Sequence, residues 1–206
     1  MVSFVNLGND ICMTASYIRA ETLGKRASLS QDAVDSASKL VGKRILELDS
    51  YKNSEIVGSY FGVRGEIDPS SLSSVSGPKH AFPVMNSDGT LRFLIPEGPL
   101  TTGKYDIKEP SSGEEVNPRD LDLVLVPLVA VDLNGNRIGH GAGFYDKTFS
   151  FLKSESGPEL IGLAHEFQIC SSIDPESWDV PLDLLVTENE VYRLGMNHPT
   201  GSMGED

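Results

Sequence analysis

The sequence from Asp120 to Lys153, DLDLVLVPLVAVDLNGNRIGHGAGFYDKTFSFLK, contains an apolar run, a turn, a glycine-rich segment and a helix start. Leu121 to Val131 is almost continuously Leu, Val and Ala, which predicts a strand buried on both faces, as in a parallel sheet. Asn134-Gly135-Asn136 predicts a turn. We predict a helix from Gly143 to about Leu152. This strand–turn–helix order indicates an α/β fold.

Between the turn and the helix stands RIGHGAGFYD, residues 137–146, with glycines at positions 139, 141 and 143. Glycine lets the backbone approach a ligand closely, and free N–H groups before a helix suit a phosphate. Arg137 would add a cationic fork for the phosphate, and Asp146 a carboxylate for a divalent metal. The alternative is a flexible strand-to-helix connection with Asp146 as an ordinary helix-start residue. The spacing alone leaves both interpretations open.

The composition is that of one globular domain. The chain has 206 residues, of which 39% are hydrophobic, enough for a core of ordinary size. No run approaches the ~20 apolar residues of a membrane span, and the N-terminus lacks the basic flank of a signal peptide. The two cysteines, Cys12 and Cys170, stand in no metal-binding or redox spacing. We therefore expect reduced thiols and a cytoplasmic protein.

The net charge is −13 and the pI is near 4.7. A nucleic-acid-binding protein needs a basic patch, so this charge argues against one. It also means that an anionic small ligand must be met by local cations, because the overall field repels it. Arg137 and Lys147 flank the glycine segment and are candidates for that task. The acidic C-terminal part is expected to be a solvated surface.

The other elements follow from periodicity and turn chemistry. From Gln31 to Leu48 the apolar residues recur at steps of three and four, which indicates one face of a helix. Apolar residues at 81–85 and 91–95, joined by a turn that contains Asp88-Gly89, predict a hairpin. We further predict helices at 15–26 and 70–76, strands at 55–61, 160–164 and, as the last one, 184–187, and a long surface connection at 96–119.

This order of elements predicts a single-domain, three-layer Rossmann-like α/β fold with a mostly parallel central sheet and helices on both faces. We assign residues 15–193 to the domain, residues 1–14 to a disordered N-terminal extension and residues 194–206 to a flexible tail. Trp178 is predicted to anchor its turn rather than to stack on a ligand. The four histidines show no metal-ligand spacing.

Glu66 lies in a polar loop after the predicted strand at 55–61. Ligands of open α/β sheets bind beyond the carboxyl ends of the strands, so Glu66 is a candidate for ligand recognition. The alternative is a loop acid with no role. The glycines at 139–143 come too long after the preceding strand for a nicotinamide-cofactor fingerprint, which disfavours an oxidoreductase.

The segment LVLVPLVAVDLNGNRIGHGAGFYDKT, residues 123–148, closely resembles the signature of 5-formyltetrahydrofolate cyclo-ligases, also called 5,10-methenyltetrahydrofolate synthetases. The resemblance continues in the right order and covers about residues 15–192. IRAETLGKRASLS resembles the family's basic first helix, SYFGVRGEID its folate loop and YDIKEP its loop ending in Glu-Pro. IGLAHEFQ and ESWDVPLDLLVTE resemble its last strands.

The resemblance implies an ATP-dependent ring closure. In the family's proposed mechanism, 5-formyltetrahydrofolate and MgATP give 5,10-methenyltetrahydrofolate, ADP and phosphate through an imidate phosphate intermediate. ATP is then a co-substrate and Mg²⁺ the cofactor, and the partners are small molecules, with neither nucleic acid nor membrane. We expect a monomer.

The resemblance also assigns roles to residues. The ATP contacts it implies are Arg19, Arg137, Ile138, Gly139, His140, Gly141, Ala142, Gly143, Phe144 and Tyr145. The folate contacts are Phe61, Glu66 and Tyr145, and the catalytic residues are Arg137 and Tyr145. Asp146 and Asp183 match the acids associated with magnesium.

Two positions depart from the family pattern. Ala15 stands where a lysine is expected four residues before Arg19, so one cation directed at phosphate is missing. Ala142 stands where glycine is usual, and a left-handed backbone there would cost about 1 kcal/mol. These departures keep a second hypothesis open, namely a catalytically weak or inactive relative that binds folate or nucleotide.

Overall fold

The computed structural model describes residues 14–103 and 107–195. The predicted extension, apart from Thr14, and the tail, apart from residues 194 and 195, lie outside the described residues. The α-helices are α1 (Ala15–Ala27), α2 (Gln31–Glu47), α3 (Asp49–Lys52) and α4 (Phe144–Thr148). Short 3-10 turns cover Ser70–Ser74, Pro118–Asp120, Ser150–Lys153 and Glu166–Gln168. The strands are β1 (Ile56–Gly58), β2 (Lys79–Met85), β3 (Leu91–Pro96), β4 (Leu100–Thr102), β5 (Lys108–Pro110), β6 (Gly113–Val116), β7 (Leu123–Pro127), β8 (Ala130–Val131), β9 (Arg137–Ile138), β10 (Glu159–Leu163), β11 (Leu184–Val186) and β12 (Val191–Arg193).

Eight of these strands form one sheet in the order β12-β11-β10-β7-β1-β2-β3-β6. The five strands from β11 to β2 are parallel, and antiparallel neighbours extend the sheet at both ends. The chain passes from β1 to β2 on one side and later enters β7 on the other side of β1. The strand order therefore reverses between β1 and β7. Open α/β sheets bind ligands beyond the carboxyl ends of the strands at such a reversal.

Helices cover both faces of the sheet, which confirms the predicted three-layer α/β fold. On one face α2 buries Ala37, Val41 and Ile45 against β1, β7, β10 and β11. On the other face Phe149, the residue after α4, is fully buried beside Phe93 of β3, with 5.9 Å between the ring centroids. Within the described ranges, no helix combines the length and apolarity needed to cross a membrane.

The prediction of one strand from Leu121 to Val131 is wrong, because this stretch forms two strands, β7 and β8. β7 ends at Pro127, and β8 pairs antiparallel with β9 in a separate two-stranded sheet. Between them, Leu128 O accepts hydrogen bonds from Arg26 Nη1 at 3.2 Å and from Gln168 Nε2 at 3.1 Å. Buried side chains therefore satisfy a carbonyl that a neighbouring strand would otherwise pair. The apolar sequence pattern does not indicate the break between β7 and β8, because the residues on both sides of it are equally buried.

Other predicted elements are corrected at their ends. The predicted helix at 143–152 is the short α4 followed by a 3-10 turn, and the connection at 96–119 contains β4, β5 and β6. β11 is not the last strand, because β12 pairs antiparallel with it. Trp178 is 63% exposed, so the prediction that it anchors its turn is wrong.

His80 on β2 predicts a pH dependence of stability. It is buried, with its Nε2 3.0 Å from the Tyr51 hydroxyl, and burial lowers its pKa from 6.5 to about 4. Between these two values the unfolded chain binds the proton and the folded chain does not. The free energy of unfolding should therefore fall as the pH drops from 6.5 to 4, by about 3 kcal/mol from this group.

Urea unfolding of the wild type and of His80→Leu at several pH values from 7 to 4 measures this contribution. Both proteins lose stability through their carboxylates, so the difference between the two slopes isolates His80. Equal slopes in this window would contradict the prediction.

Candidate active site

A cleft of ≈ 390 Å³ opens beyond β1 and β7, where the strand order reverses. Its wall contains residues of the loop that follows β1, from Tyr60 to Glu66, and Pro127 at the end of β7. Most of the segment 137–146 forms another side. The remaining residues of the wall are 107–109, Pro83 and Met85 on β2, and Leu91 on β3. This volume lies within the range of small-molecule binding sites.

The glycine segment connects β9 to α4. Gly141 and Gly143 adopt positive φ angles of 101° and 66°, a conformation that a side chain disfavours. Gly143 is the N-cap of α4, so the left-handed turn directs the chain into that helix. Ala142 between them is not among the residues with positive φ. The alanine therefore occupies its position without the backbone strain that a left-handed conformation would impose.

Arg137 on β9 and Asp146 on α4 form an ion pair, with 2.6 Å between Nη2 and Oδ1. Val180, in the segment before β11, donates its N–H to the same Oδ1 at 3.1 Å and accepts a hydrogen bond from Arg137 Nη1. The side chains of Arg137 and Asp146 are only 7% and 20% exposed. Three chain segments thus fix a cation and a carboxylate side by side in the cleft wall.

Glu66 is a buried carboxylate in the cleft wall. Its Oε1 lies 3.3 Å from Arg26 Nη2 and 2.9 Å from His140 Nε2, and its Oε2 accepts a hydrogen bond from Val63 N at 3.1 Å. Both oxygens are therefore fixed. Since His140 belongs to the glycine segment, this network also joins that segment to the loop after β1.

Aromatic side chains contribute to the apolar part of the wall. Phe61 stacks on Phe82 with 4.3 Å between centroids and 11° between the ring planes. Burial, followed by the negative charge of Glu66, raises the pKa of the Tyr145 hydroxyl, although Arg137 acts in the opposite direction. Tyr145 therefore stays protonated at neutral pH and can donate a hydrogen bond to a ligand.

The cleft wall gathers most of the predicted site residues, namely Phe61, Glu66, Arg137, Gly139, His140, Ala142, Gly143, Phe144, Tyr145 and Asp146. Gly141 belongs to the same loop, whereas Ile138 is buried in a cluster with Ile18 of α1. Arg19 approaches from α1 and donates from Nε to Gly139 O at 3.0 Å.

Asp183 is the predicted site residue that the structure does not bring to the others. It directly precedes β11, and its Oδ2 accepts a hydrogen bond from Leu160 N at 2.8 Å. It is not part of the cleft wall, which contains Asp146. Of the two acids that the resemblance associates with magnesium, only Asp146 therefore lies in the cleft wall.

Asp146 by itself fits a magnesium ion that enters with a nucleotide. Mg²⁺ commonly binds one or two protein carboxylates and completes its shell with water and substrate phosphates. Across residues 14–103 and 107–195, no group of three or more His, Cys, Asp or Glu side chains is placed to hold a metal. A single carboxylate beside Arg137 suits such a shared ion.

Arg26 is the residue of this network that sequence reasoning missed. It is 1% exposed, although a lysine and an arginine at the end of an amphipathic helix are ordinarily solvated. The available signal is positional, because Arg26 stands seven residues after Arg19 and so lies on the same face of α1. That spacing places Arg26 on this face, but it does not reveal which acceptors its guanidinium group meets.

Comparison with known proteins identifies the family of the chain. The sequence profile of the 5-formyltetrahydrofolate cyclo-ligase family matches residues 13–188. The chain belongs to this family. A 5-formyltetrahydrofolate cyclo-ligase of Haemophilus influenzae is 33% identical over 179 residues, which cover 82% of this chain and 95% of that protein. Its counterpart in Escherichia coli is 29% identical over 177 residues, which cover 82% and 97%.

Solved structures of the cyclo-ligase family share the fold. The 5,10-methenyltetrahydrofolate synthetase of Aquifex aeolicus superposes with a TM-score of 0.77 at 32% identity, covering 93% of this chain and 98% of that one. A synthetase from Mycoplasma pneumoniae has a TM-score of 0.69 at 22% identity and supports the fold alone. The family membership expected from residues 15–192 is thereby confirmed.

The glycine segment predicts different outcomes for two neighbouring substitutions. Gly143→Ala should lower the free energy of unfolding by about 1 kcal/mol and weaken nucleotide binding, because φ is positive there. Steric overlap is not the cause, since an added Cβ would lie 4.0 Å from the nearest atom, Lys147 Cε. Ala142→Gly should not tighten nucleotide binding, because Ala142 carries no such strain.

Thermal unfolding and calorimetric titration with MgATP measure both substitutions, and each serves as the control for the other. A gain in affinity from Ala142→Gly would contradict the interpretation of this loop.

Proposed function

We propose that this protein catalyses the ATP-dependent cyclisation of 5-formyltetrahydrofolate to 5,10-methenyltetrahydrofolate, with release of ADP and phosphate. One observation carries the proposal: a paired arginine and carboxylate for a phosphate, Arg137 and Asp146, share a cleft with a fixed carboxylate for a pterin, Glu66. The names of the related proteins agree with the substrate.

We assign the phosphates of ATP to the glycine segment. The loop has left-handed glycines on both sides of Ala142 and leads into α4, so its backbone can approach an anion closely. Arg137 supplies a fixed positive charge, and Arg19 braces the loop through Gly139 O. Lys108, an exposed residue of the cleft wall, is our candidate for the cation that Ala15 does not provide.

We assign the pterin ring of the folate to the wall formed by Phe61 and Glu66. A flat aromatic ring suits the apolar surface around the Phe61–Phe82 stack. The carboxylate of Glu66 is an acceptor for the ring N–H groups, and its position is fixed by Arg26, His140 and Val63 N. Tyr145, adjacent to the phosphate side, is then placed to donate a hydrogen bond to the formyl oxygen.

In the proposed reaction the formyl oxygen attacks the γ-phosphorus, and ADP leaves. N10 then attacks the formyl carbon, the former formyl oxygen departs within inorganic phosphate, and N10 loses its proton to give the methenyl bridge. Phosphoryl transfer needs positioning and neutralisation of charge more than a protein nucleophile. Arg137 stabilises charge on the transferred phosphoryl group and Tyr145 orients its acceptor. A Mg²⁺ ion held by Asp146 would neutralise charge on the phosphate oxygens.

The test is direct. The purified protein is incubated with 5-formyltetrahydrofolate and MgATP, and the absorbance of the methenyl product is followed together with phosphate release. Equal amounts of the two products are expected. Omission of ATP or of magnesium should abolish both.

The second candidate is a catalytically weak or inactive relative that binds folate or nucleotide, favoured by Ala15, where the expected cation is missing. In its inactive form it predicts calorimetric binding of at least one of these ligands and no product at high protein concentration. That result would refute the enzyme and support the binding protein. The unstrained backbone at Ala142 removes one of the two reasons for this alternative.

A further inference from the structure

Arg26 holds three separate parts of the molecule at once. From its place on α1, Nε donates to Arg64 O at 3.1 Å, Nη1 donates to Leu128 O at 3.2 Å and Nη2 donates to Glu66 Oε1 at 3.3 Å. The side chain is 1% exposed. Each nitrogen of the guanidinium group thus has its own acceptor, which a lysine ammonium on a single stem does not reproduce.

The loop that carries Glu66 rests on Arg26. Arg64 has a φ of 53°, the one positive φ outside glycine in the described ranges, and Gly65 has a φ of 77°. A Cβ at Gly65 would stand 3.1 Å from Arg26 O and 3.2 Å from Arg26 Cγ. Arg26 therefore fixes this left-handed turn by contact and by the hydrogen bond to Arg64 O.

Arg26 also touches the glycine segment, since Nη2 lies 3.3 Å from His140 Nε2, and that nitrogen lies 2.9 Å from Glu66 Oε1. A carboxylate is a stronger hydrogen-bond acceptor than a neutral imidazole nitrogen, so we expect Arg26 Nη2 to donate to Glu66 rather than to His140. The arrangement therefore assigns a proton to His140 Nε2, which donates it to Glu66 Oε1. The glycine segment has a second support in Arg19, through Gly139 O. Loss of Arg26 should therefore disturb the position of Glu66 more than that of the glycine segment.

We propose that Arg26 is a positioning residue for folate recognition, which orients the carboxylate of Glu66 toward the pterin and does not itself touch the substrate. The inference rests on the proposed function, because it assumes that Glu66 binds the folate. It predicts that Arg26 acts on folate affinity through Glu66 alone.

A double-mutant cycle tests this coupling. The wild type, Arg26→Lys, Glu66→Gln and the double variant are titrated by calorimetry with 5-formyltetrahydrofolate and, separately, with MgADP. Arg26→Lys should weaken folate binding by on the order of tenfold and nucleotide binding by much less. In the Glu66→Gln background it should have little further effect. Arg119→Lys is the matched control, because Arg119 pairs with Glu155 on the surface.

The proposal would be overturned if the losses of folate affinity caused by Arg26→Lys and Glu66→Gln multiplied in the double variant. An equal loss of folate and nucleotide affinity in Arg26→Lys would also overturn it. If Arg26→Lys does not fold, the comparison is Arg26→Gln/Glu66→Gln against Glu66→Gln, since removal of both charges leaves no unpaired ion in the interior. A further loss of folate affinity in that double variant would also overturn it.

The wild type separates the two levels of inference. A wild type that binds neither folate nor nucleotide refutes the proposed function and this inference with it. A wild type that binds and converts folate, together with independent effects at Arg26 and Glu66, refutes only the inference.

Discussion

Replacing Arg137 with alanine is expected to lower kcat by about 10²- to 10³-fold, the loss usual for a donor that stabilises transition-state charge, while the protein stays folded. The guanidinium lies in the cleft wall beside Asp146, at 2.6 Å. In the proposed mechanism, its removal would leave the transferred phosphoryl group without the cation assigned to it. The carboxylate of Asp146 would lose its ion pair and keep the hydrogen bond from Val180 N. Steady-state kinetics with saturating MgATP and 5-formyltetrahydrofolate measure the effect.

Asp146→Ala should lower kcat to a similar extent, for a different reason. Arg137 keeps its charge in that variant but loses the carboxylate that orients it, and the nucleotide loses the acid proposed to hold its magnesium. Raising the magnesium concentration should therefore recover part of the activity of Asp146→Ala and none of that of Arg137→Ala. The surface variant Arg119→Ala should keep wild-type rates. Near wild-type kcat in Arg137→Ala or Asp146→Ala would refute the role given to that residue.

The parts of this fold that follow from local sequence are those with a local cause. The helix at 31–48 was predictable because Val34, Ala37, Val41 and Ile45 recur at helical spacing, and α2 ends one residue earlier, at Glu47. The hairpin of β2 and β3 follows in the same way from a turn sequence between two apolar runs. In both cases the residues that decide the structure are neighbours along the chain.

The break after β7 is not caused by residues that are neighbours along the chain. Pro127 is followed by Leu128, whose carbonyl is satisfied by Arg26 and Gln168, residues 102 and 40 positions away. The sequence around Pro127 contains no trace of those partners. Apolar character predicts that this stretch is buried, and it is, but burial alone does not decide whether the backbone pairs with a strand or with side chains.

The site shows the same division. The glycine segment was recognisable because Arg137, Tyr145 and Asp146 lie within ten residues of one another. Arg26 and Glu66, 40 residues apart, meet only because α1 packs beside the loop after β1. The resemblance associates Asp183 with the metal, but only the fold shows that its carboxylate accepts a hydrogen bond from Leu160 N.

Tyr145→Phe is expected to lower kcat by about 10²-fold with a small change in the KM for 5-formyltetrahydrofolate. The ring remains to pack beside Phe149, with which Tyr145 is stacked at 6.3 Å between centroids, so the structure is preserved. What is lost is the hydroxyl proposed to orient the formyl oxygen toward the γ-phosphorus. The loss should fall on kcat, since that hydrogen bond strengthens as the oxygen becomes the attacking group.

The pH profile distinguishes this role from that of a general base. Burial and the charge of Glu66 raise the pKa of Tyr145 above its ordinary value of 10, so the hydroxyl keeps its proton throughout the neutral and mildly alkaline range. Deprotonation of Tyr145 should therefore cause no fall in wild-type kcat as the pH rises from 7 to 10, and Tyr145→Phe should lower kcat by the same factor across that range. If the ratio of wild-type kcat to that of Tyr145→Phe changed with pH, the tyrosine would exchange a proton during turnover. If Tyr145→Phe changed KM more than kcat, the hydroxyl would act in ground-state binding instead.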